Sequence, residues 1–220
     1  MDNAKPRVGL RGYRVADPAR AAARRAAVIA AAAHVFANKG YQVATMEDIA
    51  QEMGVSKGVL YYQFRGKEEV FTEIMVVAIS EALRLLNETT SHGGSPIDRL
   101  RDGIRELIAF NLEETTPGYY SKLVDGNLRG ISGPNREEIR TLQRAYQRVI
   151  VDLIREGQAA GLFDVRDASV AAMHVLTAAN GVSKWFVPGR RLSAGEVADE
   201  VSDQLIRGIL AGHRHDDTPG

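Results

Sequence analysis

The sequence predicts an all-α fold of about nine helices, and three observations lead there. Apolar residues recur at three- and four-residue spacing along almost the whole chain, the pattern of helices that bury one face. No hairpin dipeptide sits between alternating apolar runs, so strands would have no tight turn to pair across. Gly and Pro clusters fall between the periodic segments, where helices stop.

Residues 1–18 carry Lys5, Arg7, Arg11 and Arg14 among Gly and Pro without periodicity, which reads as a flexible basic arm. A first helix is expected from Arg20 to Lys39, with Val28, Ile29, Ala32, Val35 and Phe36 on one face and Gly40 as its left-handed stop. Short helices follow at 46–53 and 57–63. The next begins at Lys67, places Glu68 and Glu69 where the helix dipole favours carboxylates, and runs to about Asn87, ended by the Thr89–Pro96 stretch. Pro96, Thr116-Pro117 and the Gly130–Pro134 turn bound two more, at 97–113 and 118–128. A long helix at 135–160 carries Ile139, Leu142, Tyr146, Val149, Ile150, Leu153 and Ile154 on one stripe and ends at Gly161. Another is expected at 167–187, stopped by Pro188-Gly189. The last starts after Ser193, an N-cap with Glu196 three residues on, and reaches Leu210; a loose tail begins at His213.

With 220 residues, 45% of them hydrophobic, the chain is long enough for an ordinary domain and a small one. Its apolar runs are far shorter than the roughly 20 residues of a membrane span, and its first 30 residues are polar and arginine-rich, which predicts a cytoplasmic protein without membrane contact. The absence of cysteine excludes disulfides, thiol catalysis and thiolate-bound zinc. Net charge is zero, but residues 1–67 hold 11 Lys and Arg against 5 Asp and Glu, whereas residues 68–220 hold 17 against 23. The first part attracts phosphate and the second repels it.

Residues 45–64, TMEDIAQEMGVSKGVLYYQF, read as a helix-turn-helix. Thr45 and Asp48 form a capping box, and Met46, Ile49, Ala50 and Met53 form a buried stripe in which Ala50 lets the second helix cross closely. Gly54 supplies the positive φ of the turn, Val55 plugs the space between the helices, and Ser56 caps the second helix. Leu60 and Phe64 point to the core. That leaves Lys57, Gly58, Val59, Tyr61, Tyr62 and Gln63 for the flank and outer face, and the spacing leaves open whether at least one of the tyrosines turns into the core instead. Such a face fits a major groove: Ser56 and Lys57 near phosphates or base edges, Gly58 allowing close approach, Tyr61 and Tyr62 donating to phosphate, Gln63 to phosphate or adenine. Lys67, at the head of the next helix, is expected to clamp a phosphate together with the helix amides.

From Arg24 to Val77 the chain resembles the DNA-binding domain of the TetR family of repressors. The resemblance rests on Phe36-x-x-x-Gly40-Tyr41, Thr45 before Ile49-Ala50, Gly54-Val55-Ser56, Gly58-x-Leu60-Tyr61-x-x-Phe64 and Lys67-Glu68. Gln63 departs from it, since many members carry His there. The resemblance implies an Ω-shaped dimer, DNA contacts from Thr45, Ser56, Lys57, Gly58, Tyr61, Tyr62 and Lys67, and a ligand-controlled C-terminal domain. On that reading the chain divides into an arm (1–18), a DNA-binding domain (19–66), a ligand-binding and dimerisation domain (67–212) and a tail (213–220). Trp185-Phe186-Val187-Pro188-Gly189, with Leu192-Ser193 and Glu196-Val197-Ala198, is similar to the end of TetR-type repressors of fatty-acid and sterol breakdown, many of which respond to acyl-CoA. Arg190-Arg191 departs from that pattern.

A ligand site between helices would be apolar with a few polar groups; its candidates are Phe110, Tyr119, Tyr120, Leu123, Leu128, Tyr146, Ile150, Met173, His174 and Trp185, each of which reads first as plain core, and periodicity does not choose among them. One short helix buries too little for tight, specific binding, so two copies on a palindromic duplex operator are expected. By resemblance the helices at 135–160 and 167–187 pair with their mates, with the face around Ala171, Ala172, Ala178 and Ala179 allowing close approach or packing within its own subunit. No clustered acid, base or nucleophile suggests catalysis. Glu113-Glu114 and Glu137-Glu138 are adjacent, so they diverge by about 100° on a helix. His213-x-His215 with Asp216-Asp217 reads as a solvated tail, and no metal or cofactor is expected. The expectation is thus a ligand-responsive repressor; an activator, or a helical interaction module that keeps the helix-turn-helix as scaffold, stands as the alternative.

Overall fold

α1 (Pro18–Lys39) ends at Gly40, whose φ of +85° is the left-handed conformation expected there. It opens the computed structural model, in which residues 18–113 and 133–211 are described. The basic arm, the helix expected at 118–128 with Tyr119, Tyr120, Leu123 and Leu128, and the tail with His213 and His215 lie outside the described residues. Among the described residues there are eight α-helices, one 3-10 turn and an isolated antiparallel bridge between Phe163 and Leu210.

α2 (Met46–Glu52) and α3 (Lys57–Tyr61) follow, joined through Gly54 at φ +64°. α4 (Lys67–Ser91) runs one turn beyond its expected end near Asn87. The hydroxyls of Thr89, Thr90 and Ser91 donate back to the carbonyls of Leu85, Leu86 and Asn87, so the residues that signal a stop also satisfy the extra turn. α5 (Pro96–Leu112) is capped by Ser95, whose hydroxyl oxygen accepts from the Asp98 N–H at 3.2 Å. α6 (Gly133–Ala159) buries Ile139, Tyr146, Ile150, Leu153 and Ile154 on the predicted stripe. At its end, Gly161 (φ +69°) turns the chain so that Phe163 folds back over Gly157.

α7 (Ala168–Gly181), capped by the Asp167 carboxylate, is shorter than the helix expected at 167–187. Past Gly181 the chain tightens into a 3-10 turn, Val182–Lys184, in which the Ser183 hydroxyl donates to the Asn180 carbonyl at 3.1 Å. The chain has therefore left the helix before Pro188 can stop it. α8 (Ala194–Arg207) starts with the Ser193/Glu196 capping box and ends at Arg207, three residues before the expected end, and Leu210 instead joins the bridge to Phe163.

α4 is the spine. It packs against α1 near its start and against α5 and α6 further along, while α5 also meets α8 and α6 meets α7. Val70, Phe71, Ile74, Met75, Ala78, Ile79, Ala82 and Leu86 of α4 are buried in one continuous core that begins at Val28 and ends at Ile209. Arginines of α5 tie its outer side to its neighbours: Arg99 to Glu156 at 2.8 Å, Arg101 to Asp203 at 2.9 Å, Arg105 to Asp199 at 2.6 Å. Such exposed pairs contribute about 0–1 kcal/mol each, so burial rather than charge holds the helices together. Ala171, Ala172 and Ala179 of α7 are buried within their own subunit. The close-approach face expected to meet a second copy is thus turned inward, and Val170, Met173 and Thr177 occupy the outer side of α7 instead.

Candidate nucleic-acid interface

The helix-turn-helix is built from local chemistry. The Thr45 hydroxyl oxygen accepts from the Asp48 N–H at 3.2 Å, and the Asp48 carboxylate accepts from both the Thr45 N–H and its hydroxyl at 2.8 Å. The Lys39 ammonium reaches the same carboxylate at 2.6 Å. That bond first, and the two from Thr45 next, hold the Asp48 carboxyl down at about 2. Met46, Ile49 and Ala50 are buried as predicted, while Met53 and Val55 are half-buried against the core.

α3 sits with Leu60 and Phe64 fully inside. Its other side faces outward: Ser56, Lys57, Gly58 and Val59 are exposed, Tyr61 is 48% and Tyr62 90% exposed. The alternative of a tyrosine in the core is therefore not realised; Leu60 and Phe64 already fill that side, and both tyrosines are exposed. Ser56 has the extended backbone of an N-cap, but its side chain makes no capping bond, contrary to the expectation. Lys57 lies 3.8 Å from the Glu47 carboxylate and 5.7 Å from the centre of the Tyr61 ring. Gln63 is half-buried.

Gly58 is informative because nothing among the described residues requires it. Its φ is not positive, and a Cβ there would meet only the Ser56 Oγ, at 3.9 Å. A glycine in a helix costs about 1 kcal/mol relative to alanine. With no side chain there, the first turn of α3 leaves its backbone open on that side.

Lys67 does something other than the phosphate clamping expected of it. Its ammonium donates to the carbonyls of Tyr41, Gln42 and Ala44 at 2.8, 3.1 and 2.9 Å, and lies 4.7 Å from the centre of the Tyr41 ring. All three donors are spent. Lys67 is a staple between α4 and the α1–α2 loop. The Tyr41 ring in turn packs on Phe71 with centroids 4.4 Å apart and edge-on to Phe36 at 5.4 Å; burial pushes its phenol pKa up. The Thr45 hydroxyl is likewise engaged, by Asp48, though the residue is exposed. Arg25, on α1, is a residue that sequence reasoning missed. It bonds the Gln63 carbonyl at 2.9 Å and Glu73 at 2.7 Å, with its guanidinium 4.1 Å from the centre of the Phe64 ring. Only the packed structure brings these positions together.

The ligand-site candidates among the described residues lie at separate places. Phe110 is buried and lines a cleft of about 400 Å³ between α4 and α5, with Val77, Leu85, Arg84, Glu106 and Glu113. Tyr146 and Ile150 are core residues of α6, while Met173, His174 and Trp185 face outward. Their helical spacing marked one stripe of α6 correctly but could not tell the inner side of α7 from its outer side, because both are apolar. A second cleft, between α4 and α6, is lined by Val76, Ser80, Leu142 and Thr141 with Glu137 and Glu138. Among the described residues no group of three or more His, Cys, Asp or Glu could hold a metal ion, and no helix is long and apolar enough to cross a membrane.

Comparison with known proteins joins the two halves. Residues 28–74 match the model of bacterial regulatory proteins of the tetR family, and residues 93–209 match the tetracyclin repressor-like C-terminal domain. The transcriptional repressor KstR2 of Mycolicibacterium smegmatis is 25% identical over 202 residues, covering 90% of this chain and 97% of the relative. The transcriptional activator FasR of the same species is 27% identical, covering 74% and 72%. Among solved structures, the TetR family regulator PfmR of Thermus thermophilus superposes with a TM-score of 0.72 at 27% identity, covering 82% of this chain and 97% of that one.

Proposed function

The chain belongs to the tetR family of bacterial regulatory proteins, which are DNA-binding transcriptional regulators and not enzymes, and from that premise we propose that it is a homodimeric, cytoplasmic repressor. It grips a palindromic duplex operator with two copies of α3 and releases it when a small apolar or acyl-CoA-like effector binds the C-terminal half. The observation that carries the DNA reading is the outer face of α3: a glycine that no contact among the described residues requires, flanked by exposed Ser56, Lys57, Tyr61 and Tyr62. Lys57 and the hydroxyls of Ser56, Tyr61 and Tyr62 supply donors for phosphates and base edges, and Gln63 a further amide.

A five-residue helix is too small to hold a site alone, which supports a dimer. The exposed Val170 and Met173 of α7, with Trp185 and Val187 just beyond it, offer the apolar surface for a second copy. A repressor is favoured over an activator by the fuller coverage of KstR2; FasR favours the converse, and a promoter-reporter fusion with and without the gene separates them. The effector class leans on the Trp185–Ala198 pattern and on a fold neighbour, AibR, solved with isovaleryl coenzyme A and operator DNA.

The test begins with duplex affinity at two salt concentrations. Several phosphate contacts imply a loss of about a thousandfold or more between 50 and 200 mM salt, and equal affinity at both overturns the DNA reading. Calorimetric titration of acyl-CoA with and without operator then tests release. The operator must weaken acyl-CoA binding by the factor that acyl-CoA weakens operator binding, and equal affinities remove the mechanism.

A further inference from the structure

Resting on the DNA-binding reading above, we propose that Arg25 is a positioning residue: it locks the exit of α3 onto the first two turns of α4, and so sets the separation between half-sites that the protein accepts. Arg25 lies on α1, yet its guanidinium reaches three separate pieces of chain. One Nη donates to the Gln63 carbonyl at 2.9 Å, just past the end of α3, and the other to the Glu73 carboxylate of α4 at 2.7 Å. The same group lies 4.1 Å from the centre of the Phe64 ring, in the link between the two helices. Glu69 closes the circuit. It sits 3.7 Å from Arg25 and accepts from the Arg65 N–H at 2.7 Å, so the α3–α4 link is bonded at its start through Gln63 and at its middle through Arg65.

The link itself has little else to stiffen it. Gly66 precedes α4 and makes no side-chain cap, so without the guanidinium the angle between α3 and α4 would depend on the buried Leu60 and Phe64, on the Arg65–Glu69 bond, and on Lys67, which holds the α1–α2 loop rather than α3. The planar fork suits the task. It bonds a carbonyl and a carboxylate while stacking on a ring, which an ammonium cannot do at once. The guanidinium is about one-third exposed, and its hydrogen bond to Glu73 above all raises its already high pKa, so it stays charged throughout. None of these contacts needs Arg25 to touch DNA.

A half-site moved by one base pair is displaced along the duplex and rotated by about 34–36°. A locked α3 cannot follow; an unlocked one can. The experiment uses the full chain and a duplex that the wild type selects from a randomised pool, remade with half-sites one and two base pairs nearer or farther. For the wild type, each one-base-pair change is expected to cost about tenfold or more in affinity, and for Arg25→Met about threefold or less, giving a flattened profile. Arg25→Lys, which keeps the charge but not the fork, is expected to fall between them. Glu73→Gln, which leaves the stacking on Phe64 in place, should flatten the profile as well and covers the case in which Arg25→Met does not fold. An affinity lowered by one factor at every spacing, or an unaltered profile in both Arg25→Lys and Glu73→Gln, overturns the proposal. Failure of the wild type to select any duplex overturns the DNA reading itself, and the role of Arg25 with it.

Discussion

Gly58→Ala adds one methyl group to the second residue of α3, and the structure says what that methyl meets. Within the subunit it finds only the Ser56 Oγ, at 3.9 Å, an ordinary contact, and the glycine backbone is not in the left-handed region. Alanine therefore suits the fold better than glycine does, by about 0.4–1 kcal/mol, through the smaller entropy of its unfolded chain. In a chain of this length that raises Tm by about 1–4 °C. Against a duplex the sign reverses. If the backbone of α3 lies against a groove wall, the methyl overpacks a close contact at a cost of about 1–3 kcal/mol. A dimer pays it twice, so about 2–6 kcal/mol, or at least about thirtyfold in affinity, is lost. Thermal unfolding and fluorescence anisotropy with a selected duplex, at one salt concentration, read the two effects separately. A variant that melts higher and binds as tightly as the wild type refutes the assignment of Gly58 to the interface. One that melts several degrees lower refutes the claim that the fold does not need the glycine.

Other expectations follow from the same geometry. Gly157→Ala places a Cβ 2.1 Å from the Phe163 ring, which must leave its buried site, and stability falls by about 1–3 kcal/mol in chemical unfolding; Phe163→Ala in the same chain should relieve the clash so that the two losses do not add. The Asp48 carboxyl, at about 2 in the folded chain against an ordinary 3.8, adds stability that is complete above about pH 5 and disappears as pH falls through 2. The stability difference between wild type and Asp48→Asn, followed by chemical unfolding, should therefore be flat at neutral pH and vanish in acid. Met173→Asp puts a charge on the exposed apolar side of α7, and light scattering should report a shift from dimer to monomer; an unchanged mass removes that surface from the interface.

The DNA-binding half was legible in the sequence because its signals are local. A capping box, a positive-φ glycine and two buried side chains four apart, Leu60 and Phe64, each act within a few residues, and all held. The expectations that failed or stayed open concern choices made at longer range. Both tyrosines are outside because Leu60 and Phe64 already close the inner side of α3. The Lys67 ammonium turns inward because three carbonyls of a loop more than twenty residues earlier lie within its reach. Helix ends were misjudged where side chains rewrite the usual signal: Thr89, Thr90 and Ser91 prolong α4, while Ser183 tightens the chain after Gly181 and ends α7 early. The alanine face of α7 could not be assigned from spacing, since a small-residue stripe suits a subunit interior and a subunit contact alike.

The length of α4 has a mechanical consequence. Its 25 residues, at 1.5 Å each, make a single rod about 37 Å long that is rooted among α5 and α6 at one end and stapled to the α1–α2 loop beside α3 at the other. Over that span a tilt of only about 5° about the rooted end sweeps the far end through roughly 3 Å, close to the rise of one base pair. In the proposed release by an effector, a shift of only about 0.8 Å at Leu85, six residues from the rooted end, corresponds to that roughly 3 Å sweep at Lys67.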